Sequence, residues 1–273
     1  MACIAADTTG HIQRNGVRIH YDVYGQGKPT LLLLPTWSIV HSRCWKAQVP
    51  YLARHYRVVT LDGRGNGKSD RPPGVDAHLP REYVEDAIAV LDATDTPSAI
   101  VVGMSFGGHL GAMLAALYPE RVDGAVLIAP AAPFGKSNPN RMRVRFTEPS
   151  PDTEGWAKYN QHYWREHYQD FAQFFFERVF CEPHSTKQIE DAVGWALETD
   201  AATLTDTVLA RFALPRPRGM RVGSSLERGA SSSTKARISR LTRAGSRACG
   251  KCPPPSIVTS RPRQTSATAT PFS

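Results

Sequence analysis

Val101-Val102-Gly103-Met104-Ser105-Phe106-Gly107-Gly108 is the stretch whose reading decides the fold. An apolar, mostly β-branched run at 99–102 leads into Gly103, Ser105 follows at the apex, and Gly107-Gly108 open a helix-like stretch rich in alanine and leucine. Small-x-Ser-x-small between a strand and a helix is the form of a nucleophile elbow. A serine oxygen that attacks a carbonyl must stand clear of the sheet on a strained turn. Side chains two residues before and after it would collide with neighbouring backbone, hence the glycines. The helix beginning there aims its free N–H groups at a developing oxyanion. The competing reading, a chance glycine-rich turn, accounts for neither the strand before it nor the helix after it.

Working outward, Thr30-Leu31-Leu32-Leu33-Leu34-Pro35-Thr36-Trp37 reads as a buried strand entering a loop. Trp45-Lys46-Ala47-Gln48-Val49-Pro50-Tyr51-Leu52 follows, then a strand at 57–61, then Asp62-Gly63-Arg64-Gly65-Asn66-Gly67-Lys68-Ser69-Asp70-Arg71-Pro72. These segments resemble the α/β-hydrolase family, whose members carry D-x-R-G-x-G-x-S between a strand and the next helix; the resemblance covers residues from about 12 to 213. It implies an α/β fold: a mostly parallel sheet with helices on both faces, and a helical cap. It also implies a serine hydrolase that acts through an acyl-enzyme on a small, mostly apolar ester-like substrate, with no cofactor and no metal. On the matching positions Ser105 is the nucleophile, and the backbone N–H groups of Trp37 and Phe106 form the oxyanion hole. Members usually carry His-Gly where this chain has Pro35-Thr36, but a backbone donor survives a change of side chain. A serine at the elbow argues against the haloalkane dehalogenase and epoxide hydrolase relatives, which use an aspartate there. Ester, thioester, lactone or carbon–carbon bond hydrolysis remains, or a cofactor-free perhydrolase-like reaction.

The catalytic base and acid are not where the resemblance puts them. A serine needs a histidine to take its proton and an acid to orient that histidine, in the family order Ser, acid, His. Here the last histidine is His184 and the last aspartate Asp206. His109 lies one helical turn past Ser105 and is expected to point away from it. His41 follows the oxyanion loop and is a candidate pocket residue; His162, His167 and His184 fall in the cap. A lone histidine at such places is more often a surface or satisfied core group than a base.

Composition changes abruptly near Leu214. Residues 215–273 hold ten arginines and two lysines against the single acid Glu227, within a chain of net charge +8. Phe272 is the only aromatic there, and such a segment is expected to be disordered. Two origins compete: a selected basic arm for nucleic acid or an anionic surface, or a shifted reading frame, since Arg, Pro, Ala, Gly and Ser are what GC-rich DNA yields out of phase. The break falls where a hydrolase strand is due, which favours the second and makes the chain a truncated form without its final strands. Three functions stand: a serine hydrolase impaired by loss of its base and acid, an inactive hydrolase-like binding protein, and a module using its basic tail for nucleic acid. A small-molecule substrate is the expected partner, without nucleic acid or membrane, and no oligomeric state is assigned.

The remaining features agree with one another. The start, Met1-Ala2-Cys3-Ile4-Ala5-Ala6-Asp7, is not a signal peptide, and no stretch approaches a membrane span. Scattered cysteines suit a reducing, cytoplasmic setting, and Cys249-Gly-Lys-Cys252 reads as a chance CxxC. Asn15-Gly16 between two alternating runs signals a hairpin. Apolar spacing predicts a helix over 80–93, and 123–128 reads as a further buried strand. Asp62 and Arg64 are expected to hold their loop rather than do chemistry. The expected division is a hydrolase core at 11–133, a helical, aromatic-rich cap at 134–213 and a basic tail at 214–273. Ser185 with Gln188 offers a capping box within the cap. Its aromatic residues suit packing against the core or substrate contact, and the resemblance implies an apolar pocket between the cap and Ser105.

Overall fold

The computed structural model describes residues 4–131 and 146–212. Asn15 (φ 49°) and Gly16 (φ 78°) supply the two positive angles of a type I′ turn, joining strands β1 (Thr8–Arg14) and β2 (Val17–Tyr24) in antiparallel register, Arg14 opposite Val17. Strands β3 (Thr30–Leu33), β4 (Arg57–Leu61), β5 (Ala99–Met104) and β6 (Val122–Ile128) run parallel to one another. With the hairpin added antiparallel through β2 and β4, the sheet order is β1-β2-β4-β3-β5-β6. This is the α/β architecture the sequence implies, a mostly parallel sheet reached through helical crossovers.

Helices cover the two faces unequally. Helices α2 (Pro80–Ala93) and α3 (Phe106–Leu117) pack on one face. Helix α2 buries Tyr83, Val84, Ala87, Val90 and Leu91, with Ile88 only partly buried beside them, and α3 buries Phe106, Leu110 and Leu114. The opposite face is closed near β3 and β4 by Trp45 and the short helix α1 (Val49–Leu52), over Leu31, Leu33 and Val58. Leu31, Leu32, Leu33 and Leu34 are all buried, as expected of a central strand covered on both sides. Among the described residues β6 is the outer strand, with Val126 and Ile128 exposed.

Helices α4 (Gln161–Val179), α5 (Thr186–Ala196) and α6 (Ala201–Phe212) make up the aromatic-rich segment. Trp164 and Phe171 of α4 are fully buried and share one apolar cluster with Leu32, Val101 and Leu110 of the sheet and α3. The Trp37 ring sits 6.1 Å from those of Tyr159 and Trp164 and 5.5 Å from that of Phe175. The aromatic residues here pack the helices onto the core. The capping box does not form. Ser185 precedes α5 at φ −82°, ψ 17° without a side-chain bond to the helix, because this is not the extended backbone that a cap requires; His184 before it stands at φ 68°. Asn160 caps α4 instead, its side chain accepting from the N–H groups of His162 and Tyr163. The 133/134 and 213/214 boundaries, the basic segment and the Cys249–Cys252 pair lie outside the described residues.

Candidate functional site

Ser105 stands between the end of β5 and the start of α3 at φ 54°, ψ −115°. An L-residue enters this region only when its surroundings impose it. They do so here through the flanking glycines. A Cβ on Gly103 would lie 2.1 Å from the Gly107 carbonyl oxygen, and one on Gly107 would lie 2.5 Å from that of Pro35. The Ser105 N–H donates to the Ile128 carbonyl at 2.9 Å, and the Ser105 carbonyl accepts from Ala131 at 2.8 Å and His109 at 3.2 Å. Both strands flanking the elbow therefore fix it, β5 by sterics and β6 by hydrogen bonds.

The same close contact brings the oxyanion candidates to one edge of the sheet. Strands β3 and β5 are parallel neighbours, so the loop through Pro35, Thr36 and Trp37 leaves the sheet beside the elbow, and the Pro35 carbonyl touches the first turn of α3. Phe106 occupies the first helical position, where an N–H has no intrahelical acceptor. The Trp37 indole Nε1–H donates to Thr207 Oγ1 of α6 at 2.8 Å, which anchors the loop beneath that helix. Sequence reading missed Arg211. From the last turn of α6, its guanidinium lies 5.2 Å from the centre of the Phe106 ring, beside the first turn of the elbow helix.

The loop after β4 is held by a polar network. Arg64 is buried, with Nε 2.8 Å from Asp86 Oδ2 and Nη2 2.7 Å from Oδ1. Asp86 also accepts from Arg14 Nε at 2.7 Å. Asp62 accepts from the N–H groups of Ser42 and Lys68 at 3.0 and 2.9 Å. Both residues hold the loop, as expected. Asp86 of α2 and Arg14 of β1, which complete the Arg64 network, carry no local sequence signal that would have found them.

No histidine ring is hydrogen-bonded to the Ser105 hydroxyl among the described residues. Burial, then the nearby Arg211, pushes the His109 pKa below its ordinary value. His41 is buried with Nδ1 3.8 Å from Asp62 Oδ1 and Nε2 3.3 Å from Glu198 Oε2. Burial lowers its pKa against the pull of those carboxylates. It lines a cavity of about 280 Å³, but neither Ser105, Trp37 nor Phe106 does, so this is not the apolar pocket expected at the elbow. His162 contacts the Thr147 carbonyl through Nε2 at 3.0 Å, and His167 sits at a bend in α4. Among the described residues no helix is long and apolar enough to cross a membrane, and no group of His, Cys, Asp and Glu is placed to hold a metal ion.

Comparison with known proteins agrees with this geometry. Over 140 residues, half of this chain and 24% of the relative, the sequence is 29% identical to the bifunctional epoxide hydrolase 2 of Sus scrofa. Over 129 residues, 47% of this chain and 48% of the relative, it is 30% identical to the 3-oxoadipate enol-lactonase 2 of Acinetobacter baylyi. The chain thus spans less than half the length of either curated relative. A crystal structure of a hydrolase from Pseudomonas aeruginosa superimposes with a TM-score of 0.56 at 25% identity, over 76% of this chain and 73% of that one. The model of the alpha/beta hydrolase fold matches residues 29–246, past the point where the motifs themselves stop, and the chain belongs to that family.

Proposed function

We propose that this chain is a serine hydrolase of small, mostly apolar ester-like substrates, acting through an acyl-enzyme at Ser105 and impaired by the absence of a base and acid. The observation that carries this reading is the backbone of Ser105, at φ 54° and ψ −115° between a strand and a helix. Strain of about 1–3 kcal/mol at an otherwise replaceable serine is explained by a need to present its oxygen. In the proposed step Ser105 Oγ attacks the ester carbonyl. The backbone N–H groups of Trp37 and Phe106 stabilise the oxyanion, the alcohol leaves, and water releases the acid. Without a histidine partner the serine proton passes to solvent, so that about 10³–10⁴ over water remains from binding and the oxyanion hole. The lactonase among the relatives suits this chemistry better than the epoxide hydrolase, given the serine at the elbow. The reading carries with it a core at 11–133, a cap at 134–213, a basic tail at 214–273 and a cytoplasmic setting.

The test is labelling of the purified chain with a fluorophosphonate, alongside turnover of p-nitrophenyl butyrate. Slow labelling and feeble turnover, both lost in Ser105→Ala, are expected. Turnover unchanged in Ser105→Ala overturns the assignment. A kcat near the enzyme median of about 10 s⁻¹, lost in the variant, overturns the impairment alone and directs attention to His41 and His109.

A further inference from the structure

Among the described residues the sheet has two outer strands, β1 and β6, and they meet solvent differently. Strand β1 reads Thr-Thr-Gly-His-Ile-Gln-Arg, with Ile12 its one aliphatic side chain. Polar and charged residues of that kind guard a sheet edge against pairing with another chain. Strand β6 carries no such guard. Gly124-Ala125-Val126-Leu127-Ile128 holds no charge and no proline, and Val126 and Ile128 are each 36% exposed. The backbone of β6 presents the same free edge. The Ile128 carbonyl accepts from the Ser105 N–H at 2.9 Å, so the backbone groups of Ile128 face β5. Along a strand that direction alternates residue by residue. Val126 and Gly124 therefore also face β5, and Ala125 and Leu127 turn their N–H and C=O groups outward. Side chains alternate between the two faces. Leu127 lies against α3, with Cδ2 2.9 Å from where a Cβ on Gly111 would stand, while Val126 and Ile128 emerge on the opposite face.

This edge is complementary to itself. In an antiparallel pair with its two-fold axis at Val126, Ala125 of one copy opposes Leu127 of the other, and their outward N–H and C=O groups exchange hydrogen bonds on both sides of the axis. Val126 meets its own counterpart at a position without backbone bonds, where side chains stand closest and two β-branched residues pack well. Ile128 falls over Gly124 of the second copy. A Cβ on Gly124 would meet nothing nearer than Ile100 Cγ1 at 3.9 Å, so the space above it is open. Asp123, the one charged residue of β6, lies outside the paired stretch and accepts from Ser98 Oγ at 3.0 Å. No like charges are opposed. The rest of this chain matches the edge less well. In residues 215–273 the longest stretch of strand formers is Ile257-Val258-Thr259, set between Pro253-Pro254-Pro255 and Pro262. Residues 132–145 place arginine at every second position from Arg141 to Arg145.

We infer that β6 is a homodimerisation edge, through which a second copy of this chain joins two six-stranded sheets into one continuous sheet about a two-fold axis at Val126. Because β1 is guarded, the pairing closes as a dimer and does not propagate. Strand β6 becomes an inner strand, and with it the Ile128 carbonyl that holds Ser105.

The experiment is sedimentation velocity of the full-length chain over a range of concentrations, with amide hydrogen exchange read at both ends of the range. A monomer–dimer equilibrium is expected, with the Ala125 and Leu127 amides protected only where the dimer forms. Val126→Lys, at an exposed position, sets two like charges face to face across the axis and should raise the dissociation constant more than about tenfold. Val126→Glu should do the same. An equal mixture of the two variants pairs opposite charges on the axis and should dimerise more tightly than either variant alone. That rescue separates a broken interface from a damaged fold. A chain that stays monomeric at every concentration overturns the inference, as does assembly beyond the dimer. Protection of both amides at every concentration also overturns it, since a segment of the same chain would then hold the edge. So does an undiminished Val126→Lys dimer, or a mixture no tighter than its parts.

Discussion

Two turns leave the same edge of the sheet, one after β4 and one after β5, and they are held in opposite ways. The elbow after β5 is fixed by what is absent: no Cβ at Gly103 or Gly107, where backbone oxygens stand 2.1 and 2.5 Å from the position it would occupy. The loop after β4 is fixed by what is present. Arg64 is clamped on Asp86, Asn66 Nδ2 donates to the Ser38 carbonyl at 3.0 Å, and Ser69 Oγ donates to the Asp62 carbonyl at 2.7 Å. The first mode depends on neighbours within five residues and on one adjacent loop. The second reaches across 22 residues from Arg64 to Asp86 and 72 from Arg14 to Asp86. A turn made by sterics admits no graded repair, whereas a network loses one member at a time.

The largest expected effect tests the steric turn. Gly103→Ala sets a methyl group against the Gly107 backbone, which must move with the start of α3. A loss of about 3 kcal/mol is expected in the urea midpoint, with fluorophosphonate labelling abolished. The matched control is Gly194→Ala in α5, where nothing lies within 4 Å of the added methyl. There the better helix former should raise stability by about 0.5–1 kcal/mol. Equal effects at the two glycines would break the comparison.

Next comes the network. Arg64→Met removes the guanidinium but leaves Asp86 its contact with Arg14 at 2.7 Å. Breaking a buried pair outright costs about 3–5 kcal/mol; with Arg14 still in place the expected loss is about 2 kcal/mol, read from the same unfolding curves. Arg64→Met combined with Arg14→Met should lose more than the sum of the single variants, because only the double variant strands the carboxylate. Additive losses would mean that Arg14 does not share the load.

This contrast also explains what was legible in the sequence. The elbow could be read whole, since its requirement for small residues is written within Gly103 to Gly108. So could the hairpin register, fixed by Asn15-Gly16, and the double-sided burial of Leu31 to Leu34. Arg64 and Asp62 were legible as loop residues but the partner of Arg64 was not: Asp86 lies on the buried face of α2 and looks in sequence like any helical acid. Ser185 misled for a related reason. Its residue type suits a cap, but its own backbone, at φ −82° and ψ 17°, is out of range.

Ser105 itself offers a smaller and sharper test. At φ 54° and ψ −115° a glycine is unstrained, whereas alanine keeps the clash of Cβ with backbone. Relief of about 1–3 kcal/mol, less about 0.5–1 kcal/mol for the greater freedom of glycine in the unfolded chain, should leave Ser105→Gly about 1 kcal/mol more stable than Ser105→Ala. Both lose the nucleophile. Indistinguishable midpoints would mean that the elbow stores no strain at its apex.

The last prediction sets one histidine from each turn against the other through pH. His109 lies on the elbow helix and His78 in the network, where its Nδ1 faces the Tyr83 hydroxyl at 3.1 Å and its Nε2 faces the Pro72 carbonyl at 2.9 Å. Burial is the foremost cause lowering both pKa values below the ordinary 6.5. For a base whose folded pKa is depressed, the folded state holds fewer protons than the unfolded chain at pH values between the two. The stabilisation is complete above the unfolded value and is lost as pH falls through 6.5 toward the folded one. Urea midpoints should therefore be flat from pH 8 to about 7 and decline from there toward pH 5. His78→Gln should flatten that decline more than His109→Gln, because charging His78 places a second charge in a buried network that already carries Arg64. His109 is half-buried, and a turn of its ring toward solvent relieves both its burial and the nearness of Arg211. An unchanged slope in His78→Gln, with a flattened one in His109→Gln, would assign the acid sensitivity to the elbow and reverse the contrast.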